Sequence, residues 1–81
     1  MPPTTSLETL KTRIATQICA ARKARRWSEE EFAHAANVNR SYASALETCT
    51  ANPSLALLHR IAVALEIDVA DLLTPDPSQT R

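Results

Sequence analysis

The chain has 81 residues, of which 44% are hydrophobic and only three are aromatic, so it can form one small domain with an aliphatic core. It contains no glycine, and its formal net charge at pH 7 is zero. The lack of glycine excludes the glycine-rich phosphate loops and dinucleotide-binding turns on which many enzymes depend. A core of this size gives a single chain only marginal stability, so we expect association with a second copy of the chain to contribute stability.

The zero net charge conceals two parts of opposite sign. Residues 1–27 contain six basic residues and one acidic residue, a net of +5, whereas residues 28–81 contain three basic and eight acidic residues, a net of −5. This polarity fits a basic face that meets a polyanion. It fits equally well a set of cations that favour a helix C-terminus through the helix dipole. Charge alone leaves both interpretations open.

The two cysteines and the N-terminal residues bear on compartment and cofactors. Cys19 falls on the apolar stripe of a helix and is expected in the core, while Cys49 falls in a turn and is expected to be an exposed thiol. Neither has a Cys-x-x-Cys spacing or a neighbouring histidine pair, so no metal or other cofactor is expected. No signal peptide or membrane span is visible, and we expect a cytoplasmic, reduced protein with no membrane partner.

The first predicted helix runs from Thr5 to Arg25, after a flexible N-terminus over residues 1–4. Thr5 and Glu8 have the spacing of a capping box, in which each side chain bonds the other residue's backbone amide. Apolar residues recur at helical spacing along this segment, at Leu7, Leu10, Ile14, Ile18 and Ala21.

The segment SEEEFAHAANVNRSYASALET, residues 28–48, predicts two short helices joined by a tight turn. Ser28 and Glu31 have capping-box spacing, and Trp27 and Phe32 flank them as a hydrophobic staple. The first of these helices is expected to end at Asn37, because asparagine is the residue after glycine that best tolerates the left-handed conformation that turns the chain. Its buried face is expected to consist of Phe32, Ala33 and Ala36.

The second of these helices covers residues 40–47 and is capped by Asn39. Ala43 and Leu46, with Val38 before them, are expected to point inward. Two short helices in this order have the layout of a DNA-reading helix-turn-helix. The outward residues are expected to be Arg40, Ser41, Ser44 and Ala45.

Two further helices complete a compact, all-α, five-helix bundle over residues 5–73. Ser54 caps the fourth helix, and Asp68 caps a short fifth helix that runs from Val69 to Leu73. Residues 74–81 are expected to form a disordered tail. The fourth helix is expected to bury Leu55, Leu58, Ile61, Ala62 and Leu65 and to leave His59, Arg60 and Glu66 toward water.

The motifs WSEEEFAHAANVNRSYASALE and NPSLALLHRIAVALEIDVADLL resemble the Cro/phage-repressor family of helix-turn-helix regulators, also called XRE-like, from about Ile14 to Leu73. Within that family, NRSYASALE is similar to the third helix of the controller proteins of restriction-modification systems. The resemblance implies a lambda-repressor-like DNA-binding domain that acts as a transcriptional regulator. It implies that a homodimer binds a two-fold symmetric operator in double-stranded DNA, with helix 40–47 in the major groove. RNA polymerase is a candidate partner, and no small-molecule effector is expected.

The resemblance also implies which side chains read bases. Arg40 would grip guanine O6 and N7 with its guanidinium fork. Ser41 and Ser44 would reach a base or a phosphate, or they are ordinary solvated positions. Tyr42 either presses on a thymine methyl or sugar or edges the core. Asn39 caps the helix, touches a phosphate, or does both.

The expected phosphate contacts depart from the family pattern. Ser28 marks a helix start whose amides would hold a phosphate, yet three glutamates follow it. The loop 48–52 lacks the family's usual glycine and basic residues, so binding by one subunit is expected to be weak. Compensating contacts would come from Lys23, Arg25, Arg26, Thr48, Thr50 and Asn52, or from a dimer.

Two structural sets also follow from the resemblance and the apolar pattern. Arg22 and Glu47 match residues that form an internal ion pair in the family, which would fix the recognition helix. Self-association is expected through an apolar C-terminal set, although these residues could all be internal core. The set consists of Leu65, Ile67, Val69, Leu72 and Leu73.

A second hypothesis is a protein-interaction module that retained the bundle and lost DNA binding. The acidic start of the second helix and the uncharged loop after the third helix support it. An enzyme has least support, because no paired carboxylates, nucleophile-base arrangement or cofactor loop can be drawn from the sequence. His34 and His59 are expected to be exposed helix positions.

Overall fold

The computed structural model describes residues 5–75, and this part of the chain folds as five helices without a strand. The all-α fold predicted from the sequence is confirmed. The expected flexible N-terminus, residues 1–4, and most of the expected tail, residues 76–81, lie outside the described residues. The helices are α1 Leu7–Ala24, α2 Glu29–Ala36, α3 Arg40–Glu47, α4 Leu55–Leu65 and α5 Val69–Leu72.

A polar side chain caps the start of every helix. Ser28 and Glu31 form the predicted capping box at α2, and Asp68 with Asp71 forms another at α5. At α1 the prediction was wrong by one residue. Ser6, not Thr5, is the cap, because the Ser6 hydroxyl is the group that accepts a hydrogen bond from the third helical amide, at 3.1 Å.

The core is formed by aliphatic side chains packed around a single phenylalanine. α1 contributes Ile14 and Ile18, but Leu7 is 51% exposed, so only the middle of the predicted α1 stripe is buried. Leu55, predicted to be buried, is 73% exposed because it occupies the first position of α4, outside the packed faces. The largest fully buried side chains are Phe32, Ile18, Ile61, Leu65 and Leu72.

The chain turns at the ends of four helices without glycine. Arg26, Asn37, Cys49 and Glu66 have φ values of 60°, 59°, 65° and 58°. This left-handed conformation costs a non-glycine residue about 1–2 kcal/mol, least for asparagine. In each case the amide of the next residue donates to a carbonyl five residues back, which stabilises the turn. These bonds run from Trp27 to Arg22, from Val38 to Ala33, from Thr50 to Ala45 and from Ile67 to Ala62.

Arginine side chains from other helices satisfy the carbonyls that three helix ends leave open. Arg25 donates to Leu65 O at 2.7 Å, at the end of α4. Arg13 donates to Leu73 O at 3.4 Å, after α5. Arg60 is exposed, as predicted, and it also donates through Nε to Ala36 O at 3.0 Å, because the C-terminus of α2 lies within its reach. We call these three residues the interhelical arginines.

The chain remains bonded past Leu73, where the disordered tail was predicted to start. The Thr74 hydroxyl donates to Ala70 O at 2.8 Å, and the Gln17 amide donates to Thr74 O at 2.9 Å. The described chain is therefore bonded to the bundle as far as Thr74. Among residues 5–75, no helix is long and apolar enough to cross a membrane.

Candidate nucleic-acid interface

Helix α3 is held in the bundle by one face and displays the other. Asn39 caps it, since its Oδ1 accepts a hydrogen bond from the Tyr42 amide at 2.7 Å. Ala43 and Leu46 are buried against the core. Arg40 and Ser41, at the start of α3, are exposed. The sequence signal for this orientation was the helical spacing of small and apolar residues.

The exposed side of α3 forms a shallow hollow with the start of α2. Arg40, Ser41 and Ser44 line it from α3, and Glu29 lines it from α2. Within residues 5–75, the side chains of Arg40 and Glu29 make neither a hydrogen bond nor an ion pair. The guanidinium of Arg40 is thus presented to solvent with all its donors available, as base readout requires.

Tyr42 lies on another side of α3. Its ring packs at the edge of the core, where it lines a groove with Val38 and Leu57, and it does not line the hollow that contains Arg40. Of the two interpretations left open for Tyr42, the structure shows the packing contact. Ala45, predicted to point outward, is also partly buried against the core.

The predicted capping box occupies two backbone amides at the start of α2. The Glu31 amide donates to Ser28 Oγ at 3.1 Å, and the Ser28 amide donates to Glu31 Oε1 at 2.8 Å. Both groups are therefore committed to the capping box, and three carboxylates occupy the first turn. A phosphate at this helix end would meet negative charge, which offsets the attraction of the helix dipole.

In the loop after α3, the hydroxyls of two exposed threonines bond carbonyls of the helix. Thr48 Oγ1 donates to Ser44 O at 3.0 Å, and Thr50 Oγ1 donates to Ala45 O at 3.3 Å. Because a hydroxyl has one proton to donate, a phosphate would have to compete with these carbonyls. The interpretation of Thr48 and Thr50 as phosphate donors therefore has no support from this geometry. Asn52 is exposed.

The basic residues near the end of α1 divide into two groups. Lys23 and Arg26 are exposed. Arg25 is turned toward the end of α4, where its guanidinium lies 3.6 Å from a Glu66 carboxylate oxygen and 5.2 Å from the centre of the Trp27 ring. Arg25 was expected among the phosphate contacts, which stays a prediction, and in this structure its guanidinium is engaged within the chain. Its long side chain reaches a neighbouring helix, which sequence spacing does not reveal.

An ion pair between Arg22 and Glu47 ties α3 to α1. Arg22 Nε donates to Glu47 Oε2 at 2.7 Å, and Arg22 Nη2 donates to Glu47 Oε1 at 3.1 Å. Arg22 Nη1 donates to Trp27 O at 2.7 Å. The two side chains are only 13% and 8% exposed. The hydrogen bond from Arg22 to Glu47 raises the pKa of the guanidinium, against the opposing effect of burial. The pair fixes the end of α3 to α1.

The helix-turn-helix family model HTH_3 matches residues 20–72, from the second half of α1 through α5. The chain belongs to this family. No curated protein matches it in sequence.

Solved structures resemble this HTH_3 chain over most of its length. A hypothetical transcription factor from Neisseria, NHTF, is 30% identical and superposes with a TM-score of 0.81, covering 98% of this chain and 91% of that chain. The restriction-modification controller protein C.AhdI from Aeromonas hydrophila is 27% identical with a TM-score of 0.72, covering 76% and 94%. The clp gene regulator ClgR from Corynebacterium glutamicum is 30% identical with a TM-score of 0.73, covering 79% and 68%.

The HTH_3 chain buries much of the apolar set that was expected to mediate self-association. Leu65 is 1% exposed and Leu72 is fully buried, so both belong to the core of a single chain. Ile67, Val69 and Leu73 are partly buried against that core. Contact of a second copy with Leu65 or Leu72 would require the bundle to open.

The cysteines lie at a groove outside the HTH_3 core. Cys19, expected in the core, is half-buried and lines this groove with Cys49, between α1 and the loop after α3. Cys19 lies on the side of α1 that faces this loop. Among residues 5–75, no three His, Cys, Asp or Glu side chains are grouped so that they could hold a metal ion.

Proposed function

We propose that this protein is a sequence-specific, DNA-binding transcriptional regulator that inserts α3 into the major groove of an operator. The observation that supports this most directly is the exposed first turn of α3, where Arg40 and Ser41 stand clear of the bundle while Ala43 and Leu46 anchor the opposite face. An α-helix fits the major groove, and the first turn is the part that meets base edges. Membership of the helix-turn-helix family and similarity to regulators support the same function.

Arg40 is the proposed base-reading residue. Its guanidinium has no partner within the described chain, so binding DNA does not require an internal bond to break. The planar fork matches guanine O6 and N7, which lie side by side at the groove edge. The Arg22–Glu47 pair and the Asn39 cap hold the two ends of α3, and they limit the loss of freedom on binding.

A single copy offers few phosphate contacts. Lys23 and Arg26 are exposed, whereas Thr48, Thr50 and Arg25 are bonded within the chain and the start of α2 is acidic. Because phosphate contacts supply most of the sequence-independent affinity, we propose that two copies act together on a two-fold symmetric operator. Their α3 helices would lie one DNA turn apart, roughly 34 Å.

We place the self-association surface at the end of α4 and at α5. Ile67, Val69 and Leu73 keep part of their surface, and Val63 on α4 is 62% exposed. Replacing Val63 with lysine should shift the protein to the monomer in sedimentation experiments. Leu55→Lys is a matched control, since Leu55 is exposed at the opposite end of the same helix. Equal dissociation by both variants would argue against this location.

The function is tested by selecting bound sequences from random duplexes and measuring their affinity by fluorescence anisotropy. Arg40→Ala should weaken binding to the selected site by about 1–3 kcal/mol and relax the preference at one base pair. Lys23→Ala should weaken all sequences alike and reduce the salt slope by about one. An unchanged preference in Arg40→Ala would remove Arg40 from the readout.

A protein-interaction module without DNA binding is the second candidate. Its support is the internal hydrogen bonds of Arg13, Arg25 and Arg60, which occupy donors that could otherwise contact phosphate, together with the acidic first turn of α2. Absence of binding to any duplex at both low and moderate salt would favour this module. Binding that weakens steeply with salt would favour the DNA-binding regulator.

A further inference from the structure

We propose that Glu29 is a second base-reading residue, which selects a cytosine next to the guanine contacted by Arg40. This inference rests on the proposed DNA-binding function and deepens it. Its basis is a juxtaposition across the turn: the first residue of α2 and the exposed residues of α3 line the same hollow. The hollow would face the groove when α3 enters DNA, so the Glu29 carboxylate would lie beside the base edges.

The three glutamates at the start of α2 have separate environments. Glu31 is engaged in the capping box through its bond to the Ser28 amide. Glu30 lines a groove with Trp27 and His34, away from Arg40. Glu29 alone lines the hollow with Arg40, and it is half-buried whereas the other two are exposed. The acidic first turn is therefore not a uniform charged end.

Glu29 retains its full accepting capacity in the described structure. Its carboxylate forms no hydrogen bond or ion pair within residues 5–75. In the major groove, a carboxylate accepts from the amino group N4 of cytosine, whereas an arginine donates to guanine. Arg40 would thus recognise the acceptors of a guanine, and Glu29 would recognise the amino donor of a cytosine in the neighbouring base pair.

A carboxylate that merely repels phosphate would affect every sequence equally. A base-reading carboxylate disfavours bases that present an acceptor, such as guanine O6 or thymine O4, because two acceptors would then face each other without a proton. The two roles predict different effects on DNA binding when the charge of Glu29 is removed. Loss of repulsion raises affinity on all duplexes, whereas loss of readout changes the preferred base.

The experiment compares the bound-sequence preferences of the wild type, Glu29→Gln, Glu30→Gln and Arg40→Ala. Glutamine at position 29 keeps the shape but adds donors, and its preferred partner is adenine N6 and N7. We expect Glu29→Gln to shift the preference at one base pair from cytosine to adenine, with at least a roughly fivefold change in relative affinity. Thermal melting confirms that each variant is folded.

Glu30→Gln is the matched control, since it removes the same charge from the adjacent residue on a different side of α2. It should tighten all sequences slightly and leave the preferred base unchanged. If Glu29→Gln behaves like Glu30→Gln, Glu29 is not a reading residue, although Arg40→Ala still reports on the DNA-binding function. If the wild type binds no duplex, both the proposed function and this inference are overturned.

Discussion

The corner between α2 and α3 and the corner between α4 and α5 have the same construction. A left-handed residue, Asn37 or Glu66, follows the first helix, and a polar cap, Asn39 or Asp68, starts the second. In both corners an aliphatic residue between them bonds a carbonyl five residues back. An interhelical arginine donates to the final carbonyl of the first helix in both cases.

The two corners differ in what their second helix exposes. The first turn of α3 contains Arg40 and no acid, and the helix is eight residues long. The first turn of α5 contains Asp71, and the helix has four residues and ends at the fully buried Leu72. The turn geometry therefore does not determine whether a corner can meet a polyanion. The side chains of the first turn of the second helix determine it.

The largest expected effect compares the contacts that join α3 and α5, the second helices of the two corners, to α1. Glu47→Ala leaves Arg22 nearly buried without its partner and should lower the free energy of unfolding by about 3–5 kcal/mol. Arg13→Ala removes the single bond from α1 to Leu73 O and should lower it by about 1 kcal/mol. Urea denaturation measures both values.

The Arg22→Met, Glu47→Leu double variant keeps this comparison measurable if Glu47→Ala does not fold. Replacing both members of a buried ion pair with apolar residues of similar size is often neutral or stabilising. We therefore expect the double variant to recover most of the lost stability. A loss below about 1 kcal/mol in Glu47→Ala would mean that the pair behaves as an exposed surface pair.

An intermediate effect compares Arg60 and Arg25, the interhelical arginines that donate to the final carbonyls of α2 and α4. Arg60→Ala and Arg25→Ala should each lower the free energy of unfolding by about 1–2 kcal/mol, because carbonyls at a helix end lose a charged donor. Arg60→Ala should also weaken DNA binding, since Arg60 secures the turn that positions α3. Arg25→Ala should leave DNA affinity within about twofold, as expected for a side chain that makes no phosphate contact. A reduced salt slope in Arg25→Ala would place Arg25 on DNA.

The smallest expected effect distinguishes Glu66 from Asn37, the left-handed residues of the two corners. Glu66→Gly should raise the free energy of unfolding by about 0.5–1 kcal/mol, because relief of the left-handed conformation exceeds the added freedom of the unfolded chain. Asn37→Gly should change it by only a few tenths of a kcal/mol, since asparagine already tolerates this conformation. Thermal melting should detect the first change as a rise of several degrees. Destabilisation by Glu66→Gly would indicate that its ion pair with Arg25 dominates.

The helix starts and most of the core were predictable because their signals are local. Ser28 with Glu31, Asn39, Ser54 and Asp68 each precede an apolar periodic run, and each is a cap in the structure. The ambiguous start was α1, where three hydroxyl residues follow one another and each is a competent cap. The end of α2 at Asn37 was predictable for the same local reason.

The targets of the long basic side chains were not predictable. In the sequence, Arg25 and Arg60 have the pattern of ordinary solvated residues. Only the packed bundle brings helix-end carbonyls within their reach. The left-handed residues Cys49 and Glu66 also lacked a signal, because neither residue type favours that conformation. At the candidate interface, Arg40 was placed correctly on an exposed face, but the bonds from the Thr48 and Thr50 hydroxyls to carbonyls of α3 depend on the loop's path.

The interhelical arginines have a consequence for how the chain folds. Each corner bond joins residues only five apart, whereas the bonds from Arg60, Arg25 and Arg13 join residues 24, 40 and 60 apart. Closing the longer loops requires more chain entropy to be lost, so the corners can form while the chain is still open. We therefore expect the arginine bonds to close last, after the transition state. Their removal should speed unfolding and leave the refolding rate almost unchanged.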